Sequence, residues 1–242
     1  MVGQATLIKV SVTSILIYAM QTAILPQKIC HHIDKLSCQF LWGDTDSRKG
    51  CHTINWETVT LPKEAGGLGI TSTRHRNQAI LMHQAWCLYF TPSSLWARIL
   101  KAKYFSQATL FIGPQIARRS HIWTAISPGA ELLCDGMRWF VGDGRIIRVW
   151  QDHWLPNGSL RDYIKGPLPY QEEDCRINSL WDNQTWSFDP INLPLHPPPH
   201  IQELIQGIPV TCVATLEDSF LWPHNKEVCS VKSATTFLFQ RQ

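Results

Sequence analysis

The chain has 242 residues, of which 44% are hydrophobic and 17% charged, a composition typical of a folded protein rather than a disordered one. Residues 1–120 hold 13 Lys and Arg against 5 Asp and Glu, a balance of +8, whereas residues 121–242 hold 9 against 14, a balance of −5. Because phosphate groups are attracted to positive potential, a polyanionic partner is expected to bind the first half.

The apolar stretch Leu7 to Leu25 resembles a signal peptide or a short membrane anchor. Polar residues interrupt it, however, and its longest uninterrupted apolar run, Ile15–Met20, has only six residues, far fewer than a membrane span needs. Ile8, Val12 and Ile15 recur at helical spacing. The sequence therefore favours a buried helix, no contact with a membrane and no secretion.

Three further helices are predicted in the first half of the chain. One begins near Pro26 and ends at Gly43, with an apolar row of Ile29, Ile33, Leu36 and Phe40. The next runs from about residue 74 to residue 90, and the last from 94 to 104. The segment 61–70 separates the first of these helices from the second, and its three glycines predict a tight, irregular turn.

A β-hairpin is predicted between residues 137 and 150, because Asp143-Gly144 is favoured in two-residue turns. This register places Trp139 opposite Arg148 and Met137 opposite Trp150. The same turn is not expected to bind phosphate, since neither a Lys-Ser/Thr pair nor a helix follows it. Farther along, residues 193–200 are rich in proline and predict a stiff linker, and a final helix is expected to begin at Ser230.

Neither a metal site nor a cofactor site is predicted. The eight cysteines form no C-x-x-C pair and none has a histidine at zinc-finger spacing, so they are interpreted as reduced thiols of an intracellular protein. Asp44 and Asp46 are interpreted as turn formers. No serine or cysteine has a base that spacing alone can place beside it, so no nucleophilic site is expected either.

Several stretches resemble, in order, the distal part of plant LINE-type (non-LTR) retrotransposon polyproteins. These stretches are Gln4–Lys9, Leu25-Pro26, Ile33–Leu36, Phe40–Gly43, Leu61–Ile70, Ser94–Arg98, Ser120–Trp123, Val141–Arg145, Val149–Leu155 and Ser230–Ala234. The resemblance covers nearly the whole chain. Two prolines, Pro128 and Pro223, depart from the family pattern, and Pro128 is expected to break a helix where the family has a helical turn.

The resemblance implies a region after the reverse-transcriptase palm and before the zinc-binding domain. The Tyr-x-Asp-Asp string of the palm does not occur in this sequence, so the chain is expected to be no enzyme. The implied fold is mainly α, with a helical thumb-like bundle in residues 1–108, a linker with a small β-hairpin in 109–170, and an irregular, Pro-rich connector in 171–242. The palm and zinc-binding regions of the parent polyprotein are then expected partners.

A basic set of side chains flanks the second and third predicted helices and the glycine turn. Its members are Lys28, Lys35, Arg48, Lys49, Lys63, Arg74 and Arg76. A polymerase thumb follows the nucleic-acid backbone, so the resemblance implies that this set contacts phosphates without sequence specificity. Two other hypotheses stay open: a nucleic-acid-binding module retained by the host, and a scaffold for protein interactions.

Overall fold

The computed structural model describes residues 2–44, 50–104, 120–156, 158–164, 167–168, 174–182, 185–186, 197–208, 217–224 and 228–241. The chain divides into two compact units. Unit 1 comprises residues 1–135 and 229–242, and unit 2 comprises residues 136–228. The three regions predicted from the sequence, with bounds at 108 and 170, are not tested by this division.

The described residues are mainly helical, as predicted. The helices are α1 (Val2–Leu7), which continues through the π-helical turn Ile8–Val12 into α2 (Thr13–Thr22), then α3 (Gln27–Trp42), α4 (Trp56–Val59), α5 (Thr73–Phe90), α6 (Leu95–Tyr104), α7 (His121–Gly136), α8 (Pro199–Gln206) and α9 (Val231–Gln240). The strands are β1 (Arg138–Phe140), β2 (Trp181–Asp182), β3 (Thr185–Trp186) and β4 (Ser219–Leu221).

Helix α5 forms the centre of unit 1 and buries ten of its eighteen residues. Two polar side chains join it to neighbouring helices. Asn77 accepts a hydrogen bond from the Leu25 amide (2.9 Å) and donates to the carbonyls of Met20 (3.1 Å) and Ala23 (3.0 Å), which fixes the end of α2. Asp34 of α3 accepts from the amide (3.0 Å) and the hydroxyl (2.6 Å) of Thr73, the first residue of α5.

Helix α7 approaches α5 closely and continues through Pro128. The helix-breaking effect expected of this proline is therefore not observed. A Cβ atom added at Gly129 would lie 2.7 Å from the carbonyl carbon of Leu81 in α5, closer than two such atoms can approach. The glycine beside the proline thus permits a backbone contact that any larger residue would prevent.

The apolar row of α3 faces solvent, although the helix has the predicted bounds. It follows Pro26 and ends at Gly43, which adopts φ +70°. Ile29, Leu36 and Phe40 are about half exposed, and the buried residues of α3 are Cys30, Ser37 and Leu41. The side of α3 that carries Cys30, Ser37 and Leu41 is covered instead, and from this side Asp34 bonds to Thr73 of α5.

The N-terminal helix is present, but the prediction that it is buried was wrong. Among its described side chains only Ile8 and Met20 are buried, whereas Val10, Ile15 and Tyr18 are each more than 60% exposed. By length and composition Val2–Thr22 could cross a membrane, a criterion that core helices of soluble proteins and signal sequences also meet.

Unit 2 is built around a cluster of aromatic and aliphatic side chains that includes Trp150, Trp154 and Leu155. Strand β1 pairs with β4, antiparallel, and Trp139 lies opposite Phe220 with ring centroids 3.8 Å apart. The predicted hairpin register was therefore wrong, because the partner of β1 comes some 80 residues later. A short hairpin does exist elsewhere, between β2 and β3.

The turn predicted at Gly142–Arg145 wraps around the carboxylate of Asp218, the residue before β4. Asp218 Oδ1 accepts hydrogen bonds from the amides of Gly142 (2.8 Å) and Gly144 (2.9 Å), and Oδ2 accepts from the amide of Ile146 (2.9 Å). Three converging amides form an anion-binding concavity. Because Asp218 fills it, the segment that follows Asp218 is held beside β1 and takes the place of the predicted strand.

We expect Asn77→Asp to destabilise the protein by about 2 to 4 kcal/mol at pH 7, because it replaces two satisfied donors with oxygen atoms that face the Met20 and Ala23 carbonyls. Urea unfolding followed by tryptophan fluorescence measures this loss. It should be smaller at pH 4, where a protonated carboxyl can again donate one bond. Gln78→Glu, one residue along α5, is the matched control, and an equal loss in both variants would contradict the role of Asn77.

We expect Asp218→Asn to lower the free energy of unfolding by about 2 to 3 kcal/mol, because an amide offers one acceptor oxygen where three amide donors converge. The control is Asp143→Asn at the same turn, where Asp143 Oδ1 accepts from the amide of Arg145 at 3.2 Å and the carboxylate forms an exposed ion pair with the Arg145 side chain. Guanidinium unfolding of both variants is the measurement. Equal stability of wild type and Asp218→Asn would show that the turn forms without the carboxylate.

Candidate nucleic-acid interface

The segment between α4 and α5 builds one wall of the candidate interface. After the 3₁₀ turn Lys63–Ala65, Gly66 adopts φ +84° and Gly69 adopts φ +65°. A Cβ atom at Gly67 would lie 2.0 Å from the Leu61 carbonyl oxygen. The three glycines are therefore required by the backbone, as the sequence predicted, and they fix the position of Lys63 at the edge of the turn.

Four basic side chains surround a cavity of about 540 Å³ beside this turn. They are Lys9, Lys63, Arg76 and Lys232, and Glu64 is the one acidic residue among those that line it. Thr71, Ser72, Thr235 and Thr236 also line this cavity, but the hydroxyls of Thr235 and Thr236 donate to carbonyls of α9. The groups around the cavity that can bind phosphate oxygens are therefore mainly its cations.

Arg76 is a half-buried member of this set. Its Nε atom is buried and has no hydrogen-bond partner among the described residues. Burial also lowers the pKa of its guanidinium, which remains charged at neutral pH. Because Nε is closed off from solvent, what Arg76 offers to an anion in the cavity that it lines is the positive charge of its guanidinium.

Two of these four cations were missed by the sequence analysis. Lys9 donates to the Leu68 carbonyl (2.6 Å), which links the N-terminal helix to the glycine turn. Lys232 lies in the first turn of α9, which packs along α5 although it belongs to the acidic half of the sequence. His83 of α5 strengthens this packing, since its Nδ1 donates to the Cys229 carbonyl (2.8 Å). Neither cation shows a local pattern that could have identified it.

The predicted basic set is divided by the fold. Lys63 and Arg76 line the 540 Å³ cavity, whereas Lys35 and Arg74 line a second cavity of about 1020 Å³ in the same unit. Lys28 is exposed on α3 and lines neither cavity. The two remaining members, Arg48 and Lys49, lie outside the described residues.

The larger cavity has mixed charge, because Asp34, Asp44 and Glu57 face it as well. It also contains a contact that contradicts the sequence analysis. Cys38 Sγ lies 3.8 Å from Nδ1 of His52, and elsewhere in unit 1 Cys87 Sγ lies 3.6 Å from Nε2 of His83, so two cysteines do have a base beside them. Asp44 accepts from the amide of Gly50 (2.7 Å), as a turn former would, and its carboxylate also pairs with His52. The sequence separation of 14 residues between Cys38 and His52 explains why spacing did not reveal the pair.

The charge of the chain follows the two units. Unit 1 contains fifteen Lys and Arg against seven Asp and Glu, a balance of +8, and unit 2 contains seven against twelve, a balance of −5. Among the described residues no group of three or more His, Cys, Asp or Glu side chains could hold a metal ion. The chemistry offered by the described part of unit 1 around the smaller cavity is therefore anion binding.

Comparison with known proteins gives two similar sequences from Arabidopsis thaliana. The first is named "Putative ribonuclease H protein" and is 32% identical over 195 residues, which are 78% of this chain and 31% of that protein. The second is named "Uncharacterized mitochondrial protein" and is 29% identical over 140 residues, 57% of this chain and 91% of the relative. No family description matches, and neither does any solved structure. The chain is thus similar to about a third of a protein named for ribonuclease H.

Proposed function

We propose that this chain is a non-catalytic part of a retrotransposon reverse-transcriptase polyprotein, from the thumb-like region after the palm, and that unit 1 contacts the backbone of RNA or DNA. The observation that carries the binding role is the 540 Å³ cavity, which is lined by Lys9, Lys63, Arg76 and Lys232 and has Glu64 as the one acidic residue among those that line it. The similarity to a protein named for ribonuclease H supports the retroelement origin.

The binding would be independent of sequence. Contacts from Lys and Arg to phosphate oxygens position a protein on nucleic acid but do not distinguish bases. Unit 2, with its balance of −5, would not add to this affinity, because negative charge repels phosphate. The cysteines of the described residues are free thiols, which suits the reducing interior of a cell.

A scaffold role is the second candidate, and a different observation favours it. Ile15, Tyr18, Leu36 and Phe40 are large apolar side chains with exposed fractions from 47% to 79%. Apolar surface of this kind normally contacts another protein. In the parent polyprotein that contact could be made by the palm, so the two roles are compatible.

We expect the protein to bind duplex nucleic acid with an affinity that falls as salt rises. If about three of the cavity cations touch phosphates, log K should decrease against log salt with a slope of roughly −3. The double variant Lys63→Ala, Lys232→Ala should flatten this slope by up to about 2 and weaken all sequences equally. Fluorescence anisotropy at several salt concentrations measures both effects.

The matched control removes the same charge outside the cavity, with Lys28→Ala and Arg98→Ala on exposed positions of α3 and α6. This variant should keep most of the slope. If the two double variants lost affinity and slope to the same extent, general charge rather than the cavity would account for binding. A strong sequence preference would also contradict backbone contact.

We expect the purified chain to show no magnesium-dependent primer extension and no cleavage of an RNA–DNA hybrid. Both reactions use clustered carboxylates to hold metal ions, and the described residues contain no such cluster. Assays with a complete reverse transcriptase as positive control test this. Extension that Asp34→Asn or Asp44→Asn abolished would overturn the non-catalytic proposal.

A further inference from the structure

His52 is held in a defined orientation by two side chains of unit 1, Trp42 and Asp44. Its ring stacks on Trp42 with centroids 5.8 Å apart and planes inclined by 23°. Its Nε2 lies 3.0 Å from Oδ2 and 3.2 Å from Oδ1 of Asp44. Asp44 is in turn positioned by the end of α3 and by the amide of Gly50, which donates to Oδ1. Because its ring face packs on Trp42 and its Nε2 bonds to Asp44, the imidazole of His52 has little freedom to rotate.

The hydrogen bonds determine where the proton of the neutral imidazole resides. A carboxylate only accepts hydrogen bonds, so Nε2 carries the hydrogen that faces Asp44. Nδ1 then has a free electron pair, and it is this atom that lies 3.8 Å from Cys38 Sγ. The thiol donates toward Nδ1. The order of the groups is thiol, imidazole and carboxylate, the arrangement in which a base is oriented beside a nucleophile.

The environment of Cys38 makes such a base necessary. Burial, and then the charge of Asp44, raise the pKa of the Cys38 thiol. The thiol is therefore protonated at neutral pH and cannot attack an electrophile as a free thiolate. Proton transfer to His52 during the attack removes this obstacle, and Asp44 stabilises the imidazolium that forms. The site is accessible, because Cys38, His52 and Asp44 all line the 1020 Å³ cavity and the His52 side chain is 41% exposed.

We propose that Cys38, His52 and Asp44 form a nucleophilic thiol site that adds covalently to conjugated carbonyl compounds entering the 1020 Å³ cavity. The sulfur forms a bond to the alkene carbon, and the π electron pair moves to the neighbouring carbon as an enolate. His52 accepts the thiol proton and returns it to that carbon. The S–H bond and the C=C double bond are replaced by a C–S bond and a C–H bond, and no oxidant or metal takes part.

The test uses the full chain and N-ethylmaleimide, a conjugated carbonyl compound. Trypsin separates the two relevant thiols, since Cys38 lies in the peptide 36–48 and Cys51 in the peptide 50–63. Cys51 is an exposed thiol close in sequence and serves as the internal control. Mass spectrometry of peptides from timed reactions gives the rate for each cysteine. General-base assistance raises the reaction rate at least about a hundredfold in many sites. We therefore expect the labelling rate of Cys38 to fall at least about tenfold in His52→Gln, while the labelling rate of Cys51 stays unchanged.

In His52→Gln the glutamine amide keeps an N–H group that can bond to Asp44, but it cannot accept the thiol proton. This variant therefore removes the base and keeps the contact with Asp44. Asp44→Asn should give an intermediate rate. A second measurement does not depend on any variant: the ratio of Cys38 to Cys51 labelling in the wild type should fall in 6 M guanidinium, where the site is dispersed. An unchanged Cys38 rate in a folded His52→Gln, or an unchanged ratio on unfolding, would overturn the proposal.

Discussion

Helix α5 buries ten of its residues, and a helix buried over so much of its surface must be covered by several neighbours at once. Two of the buried residues, Thr73 and Asn77, are polar, and each is satisfied by a different helix or turn. Apolar packing alone would allow α2 and α3 to rotate or slide on α5. The directional bonds of Asn77 and Asp34 select one arrangement, because any other would leave buried polar atoms without partners.

This arrangement determines where the basic side chains lie. Arg76 precedes Asn77, so fixing Asn77 toward α2 places the Arg76 side chain beside the glycine turn and Lys9. The packing of α9 on α5 brings Lys232 to the same cavity. The rotation of α3 that joins Asp34 to Thr73 has a second consequence: it leaves Ile29, Leu36 and Phe40 exposed. The polar contact and the exposed apolar row are two results of one orientation.

Features that depend on neighbouring residues could be predicted from the sequence. The bounds of α3 follow from Pro26 and Gly43, and the irregular turn before α5 follows from its glycines. Features that depend on distant residues could not be predicted. The sequence shows the apolar row of α3 but not which side of the helix is covered, and a partly buried bond between Asp34 and Thr73, 39 residues apart, helps to decide that. Likewise the strand opposite β1 depends on Asp218, and the cation Lys232 reaches the cavity only because α9 packs on α5. Pro128 was expected to break a helix, yet the adjacent Gly129 lets that helix approach α5.

The two units differ in whether their anion-binding groups are already occupied by a carboxylate of the chain. In unit 2 the amides of Gly142, Gly144 and Ile146 form a concavity suited to an anion, but a carboxylate of the same chain already occupies it. The bonds of these amides to Asp218 stabilise the fold, so the amides are not available to a ligand. In unit 1 the cavity cations face one acidic side chain, Glu64, and the Arg76 Nε has no acceptor among the described residues. Cations gathered around one cavity repel one another, and an external anion bound among them reduces this repulsion. Binding of a polyanion should therefore stabilise unit 1, which links the proposed function to the fold.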